Sequence, residues 1–105
     1  MSDEKRGAPW QVNFSSKAEK QARQLPDVMR GVLKLLWLSL EQSGPVQNGW
    51  RNYGKIEGGK NVHHCHMNNN HPRYVAVWKV MSMQERIIKV QYVGPHGGVN
   101  YNRFK

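Results

Sequence analysis

The stretch that decides the fold is "VHHCHMNNNHPRYVAVWKV", residues 62–80. Two runs rich in β-branched and aromatic residues flank the polar turn "NNNHP", the pattern of two strands joined by a loop. Val62–Met67 is the first expected strand and Tyr74–Met81 the second. "SMQE" then turns the chain again, and Arg86–Val93 reads as a third strand ended by Gly94-Pro95. Successive strand side chains point to opposite faces. One face therefore collects Cys65 and Met67, then Tyr74, Ala76, Trp78 and Val80, then Ile88, Val90 and Tyr92. The other collects His64 and His66, then Arg73 and Lys79, then Lys89 and Gln91. One face is suited to a core and the other is cationic, with the register between strands assumed.

Working back from residue 62, "GPVQNGWRNYGKIEGGKN" (44–61) is broken by glycines and admits a short extended piece around Tyr53–Ile56. Before it, residues 26–42 carry Val28, Val32, Leu35, Leu36 and Leu40 on a broad apolar stripe, which predicts a helix stopped by Gly44-Pro45. Pro26 is tolerated in its first turn. Ser16-Lys17-Ala18-Glu19 matches a capping box, so a shorter helix is expected from Ser16 to about Gln24. "WQVNF" (10–14) alternates and predicts a strand with Trp10, Val12 and Phe14 on one face. Residues 1–9 read as a mobile lead-in. The order strand, two helices, three strands predicts a single α+β domain over residues 1–105, with the helices on one face of a largely antiparallel sheet.

The chain has 105 residues, 38% of them apolar, enough for one modest core. Its single cysteine, Cys65, rules out an internal disulfide and fits a reducing cytosol. The N-terminus lacks the apolar core of a signal peptide, and "VLKLLWLSL" is too short and interrupted to span a bilayer. Net charge is +9, and it is unevenly spread. Residues 1–42 hold seven basic and five acidic groups, a net of +2. Residues 43–105 hold nine and two, a net of +7, and all five histidines. Such a field attracts polyanions, nucleic acid first among them.

The histidine cluster invites a zinc reading. On a strand, however, His63 and Cys65 face away from His64 and His66, and no paired metal-ligand spacing is present. No metal or other cofactor is therefore expected; Cys65 is expected as a small buried hydrophobe and His63 as a half-exposed strand residue. Imidazoles titrate near neutrality and can give or take a proton. Arg73 and Lys79 beside them suit a phosphate and the charge that develops on it. Past the last strand, His96 sits on a Gly-Pro and Gly-Gly bounded loop, followed by Tyr101 and Arg103. Tyr101 can stack on a base or pin the tail. The basic part has only Glu57 and Glu85 as carboxylates, both in apparent turns, which argues against two-metal and glycosidase-type chemistry.

The segment "VHHCHMNNNHPRYVAVWKV" followed by "IIKVQYVGPHGGVNY" resembles the RelE-like toxins of bacterial type II toxin–antitoxin systems, within the RelE/ParE superfamily. The likeness runs over about residues 10–101. It implies a metal-independent endoribonuclease of the bacterial cytoplasm that cuts mRNA in the A site of the 70S ribosome and pairs with a cognate antitoxin protein. By position, His64 and His66 fall where such toxins carry lysines, Arg73 where an arginine meets the scissile phosphate, and His96 where an arginine or histidine is usual. Tyr101 matches a tyrosine that stacks on the substrate base. Attack by the ribose 2′-hydroxyl would use His64 or His66 as base and His96 as acid. Lys55, Lys60, Lys79, Lys89 and Arg103 are the expected RNA-binding cations. A gyrase-poisoning toxin of the ParE type and a non-catalytic RNA-binding module are the alternatives.

Overall fold

The structure, a computed structural model, describes residues 8–105; residues 1–7 of the expected lead-in lie outside them. Already at Ala8 the chain is tied down, because its carbonyl accepts from Arg86 Nη1 at 2.9 Å. In chain order come β1 (Gln11–Phe14), α1 (Ser16–Arg23), α2 (Asp27–Ser43), β2 (Arg51–Lys55), β3 (Val62–His66), β4 (Tyr74–Ser82) and β5 (Ile87–Pro95). Two 3-10 turns close it, His96–Gly98 and Tyr101–Phe104. The sheet has five strands in the order β1-β5-β4-β3-β2. β2 to β5 form an antiparallel meander, while β1 runs parallel to β5 at the edge. The extended piece expected at Tyr53–Ile56 is thus a full edge strand, begun earlier at Arg51.

Both helices start and stop for local reasons. The cap of α1 is Ser15, one residue before the expected Ser16: its side chain accepts from Ala18 N at 3.0 Å. Glu19 instead accepts from Arg23 one turn on, at 3.4 Å. α2 ends at Gly44, whose φ of 85° is open to glycine. A Cβ there would also meet the Trp10 indole nitrogen at 2.8 Å. The buried amide of Gln47 donates to Gly44 O at 2.7 Å and Ser39 O at 3.1 Å, satisfying carbonyls at the helix end.

The helix-side core joins Ala18, Leu25, Met29, Leu33, Leu36 and Leu40 to Cys65, Met67, Ala76, Trp78, Ile88, Val90 and Val93. The buried stripe of α2 is Met29, Leu33, Leu36 and Leu40; Leu36 and Leu40 are buried as expected and Val32 packs, partly buried, against the core. Val28 and Leu35 are 73% and 60% exposed. The periodicity was legible, but two apolar stripes share this helix, and only the sheet beneath selects one.

A second correction comes from β5. Opposite Val77 stands Tyr92, but opposite Trp78 stands Val90, so Gln91 is an extra, bulged residue. The bulge reverses the alternation. Ile88 and Val90 face the helices as expected, whereas Tyr92 turns to the other side. There it joins Ile56, Val62, Val75 and Val77 in a second cluster, covered by Val99, Tyr101 and Phe104 of the tail. The face away from the helices is thus part cationic and part apolar.

His63 also departs from expectation. It is 2% exposed, stacked nearly parallel on Trp78, with ring centroids 6.0 Å apart and 4° between planes. Its Nδ1 shares a 2.7 Å hydrogen bond with the Tyr53 hydroxyl. Burial, then the positive charge of Lys55 and His64, hold its pKa down to about 4. A neutral imidazole with a hydroxyl partner is a tolerable core residue.

Candidate functional site

Register brings the site together. His64 pairs with Val77 and His66 with Val75, so both imidazoles stand on the face away from the helices. The loop after β5 is pinned by a 2.7 Å hydrogen bond from His96 N to Arg73 O, which sets His96 beside the start of β4. The His66 and His96 rings then meet edge to face at 5.3 Å. Tyr101, carried back over the sheet by the tail, meets His64 at 5.1 Å. His64, His66, Arg73, His96 and Tyr101 thus come from β3, the approach to β4, and the two C-terminal turns, and gather on one side of the sheet.

Their electrostatics follow from the crowding. His66 has its pKa lowered by partial burial, then by His96 and Arg73. His64 is lowered by burial, then by His66 and His96. Both imidazoles are therefore held toward the neutral, proton-accepting form. Burial raises the Tyr101 hydroxyl, which favours its protonated state. Cys65, on the opposite face, is fully buried and its thiol is pushed up to about 12 by burial, so it stays unreactive. Among the described residues no group of three or more His, Cys, Asp or Glu side chains is arranged to hold a metal ion.

The expected cations are spread more widely. Lys79 and Lys89 are directly paired across β4 and β5 on the histidine face, beside Val62. They stand at the opposite end of that face from His66. Lys55 is paired with His63 and borders a hollow of about 240 Å³ with His64, Tyr101 and Lys105. Lys60 is exposed on the turn before β3. Arg103 borders a different hollow, on the far side of the tail. Glu57, in the expected turn, reaches the rim of the His64 hollow, brought there by the pairing of β2 with β3. His64 Nδ1 is buried and has no hydrogen-bond partner among the described residues.

No protein-family model matches the chain, and no curated protein matches it. Solved structures do. A doubly substituted mutant of the E. coli toxin RelE in the free state is 18% identical, over 91% of this chain and 93% of that one, with a TM-score of 0.70. RelE in the RelE–RelB complex of the archaeon Pyrococcus horikoshii is 16% identical, over 87% and 99%, at 0.66. YoeB from the Staphylococcus aureus dimer is 19% identical, over 85% and 99%, at 0.66. The chain has the fold of the RelE-like toxins.

Proposed function

We propose that this protein is the toxin of a toxin–antitoxin pair and acts as a metal-independent endoribonuclease. The observation that carries the reading is the convergence of three imidazoles, a guanidinium and a tyrosine on one side of the sheet, two of the imidazoles biased toward neutrality. His66, in ring contact with His96 and within the field of Arg73, is the base. It takes the proton from a ribose 2′-hydroxyl, whose oxygen attacks the adjacent phosphorus. The bond from phosphorus to the 5′-oxygen breaks, and His96 protonates that oxygen. The products are a 2′,3′-cyclic phosphate and a 5′-hydroxyl end. Arg73 stabilises the extra charge on phosphorus. Tyr101 holds His64 and offers a ring to a base.

That the RNA is messenger, met in the ribosomal A site, is supported by the family resemblance alone. A partner protein is supported by the RelE–RelB complexes among the solved relatives. The exposed apolar residues Val28, Leu35 and Leu38 on α2 are a surface that such a partner can cover. Among the described residues no helix is long and apolar enough to cross a membrane.

The decisive experiment compares an RNA with the same RNA carrying one 2′-deoxyribose at the mapped cut. Cleavage should stop at that position and leave a cyclic phosphate elsewhere. Continued cutting at the deoxy position removes the mechanism. Growth inhibition that survives His66→Ala and His96→Ala together favours the non-catalytic binding alternative.

A further inference from the structure

The bulge at Gln91 shapes a second cavity. Tyr92, turned by the bulge to the histidine face, has its ring fixed by a 2.8 Å hydrogen bond from its hydroxyl to Pro95 O. Phe104 of the tail lies 6.4 Å away at 57°. Between this aromatic corner and the start of α1 is a cavity of about 450 Å³, also bordered by Lys17, Gln91, Asn100 and Arg103. Its walls combine aromatic surface, the three carboxamides of Gln21, Gln91 and Asn100, which can both donate and accept, and two cations from distant parts of the chain. An apolar plane with an amide-bearing edge and a phosphate is the chemistry that matches all three. A sugar lacks the anion, and a bare phosphate has no use for the rings.

We infer that this cavity is a subsite for one nucleotide of single-stranded RNA flanking the cut. Its base lies against Tyr92 and Phe104, and its phosphate lies between Lys17 and Arg103. The inference rests on the reading of this face as an RNA-binding one. His64, Val77 and Tyr92 stand in one row across β3, β4 and β5, two interstrand steps, or about 10 Å. Val99, Tyr101 and Phe104 lie over that row, so a flanking nucleotide of a strand held at the histidines reaches the cavity past the tail rather than along the sheet. Bulges that redirect a side chain next to an active site are a recurrent device, and here the bulge separates Tyr92 from the helix-side core.

The test uses the full chain, isotope-labelled, titrated with adenosine 5′-monophosphate and separately with inorganic phosphate. Adenosine monophosphate should shift the amides of Gln91, Tyr92, Asn100 and Arg103. Lys17→Glu, at an exposed helix position, should weaken this binding about tenfold, the loss of one charged hydrogen bond. Inorganic phosphate should leave the Tyr92 and Phe104 rings unmoved. Unshifted amides at the cavity, unchanged affinity in Lys17→Glu, or an identical response to phosphate alone each overturn the subsite. In cleavage, Lys17→Glu should raise KM for a hexanucleotide without changing kcat, and leave a dinucleotide unaffected. Equal effects on both substrates also overturn it. If the wild type cuts no RNA at all, the nuclease reading fails while the titration still decides the subsite.

Discussion

If His66 and His96 carry the proton transfers, as proposed, each imidazole has a separable effect. His66→Ala and His96→Ala should each slow cleavage by about 10²–10⁴-fold, measured in single-turnover assays on a short RNA. The lowered pKa of His66 should keep it in the proton-accepting form to below the ordinary histidine value of about 6.5, so the acid limb of the rate profile should lie below that pH. His63 acts instead on stability. Its folded pKa, about 4, is below the unfolded value of 6.5. Between those values the unfolded chain binds the extra proton, so stability is fully present above pH 6.5 and falls as pH drops toward 4. The loss is at most about 3 kcal/mol. His63→Leu should flatten the fall in melting temperature between pH 7 and pH 5. An equal fall in both proteins would show that His63 is not its source. None of this was readable at residue 63, because a strand histidine looks the same in sequence whether Tyr53 and Trp78 enclose it or water does.

At the scale of elements, the tail and the bulge organise the histidine face. Val99, Tyr101 and Phe104 cover Val62, Val75, Val77 and Tyr92, so the C-terminal turns are part of the fold as well as the rim of the site. A chain ending at Gly98 should melt at lower temperature and bind more of a hydrophobic dye, since it uncovers apolar surface worth about 25 cal/mol per Å². On the proposed mechanism it should also cut RNA more slowly, because the Tyr101 ring offered to a substrate base is gone. Retained melting temperature would show that the second cluster adds nothing. Trp78→Ala, in the helix-side core and bonded to Pro45 O at 3.0 Å, should cost about 3–5 kcal/mol in denaturant unfolding.

Across the whole molecule, the +9 charge sets the long-range behaviour. If RNA is held through three or four phosphates, the logarithm of affinity should fall with the logarithm of salt at a slope of about −2 to −3. Filter binding with single-stranded RNA measures it, and a flat dependence would remove the electrostatic argument. The α2 surface is apolar rather than charged, with Val28, Leu35 and Leu38 exposed, and a partner there would be held by apolar burial. If the proposed antitoxin partner docks on α2, Leu35→Asp should weaken its binding at least about tenfold while leaving the melting temperature unchanged, as read by calorimetry of the purified pair. Unaltered affinity would move the contact elsewhere on the surface.

Sequence alone determined the three-strand meander, the two helices and the facing of His64 and His66 away from Cys65, because strand alternation and helix period are local properties of successive residues. It also supplied the charge asymmetry and the resemblance that the RelE-like structures matched in fold. Tertiary structure decided which α2 stripe is inside, that Gln91 is an extra residue, that His63 is buried and that the tail folds over Val75 and Val77. Each of those depends on pairing between distant segments: a single bulge shifts register by one residue, and with a side-chain period of two that is enough to carry Tyr92 from one face of the sheet to the other.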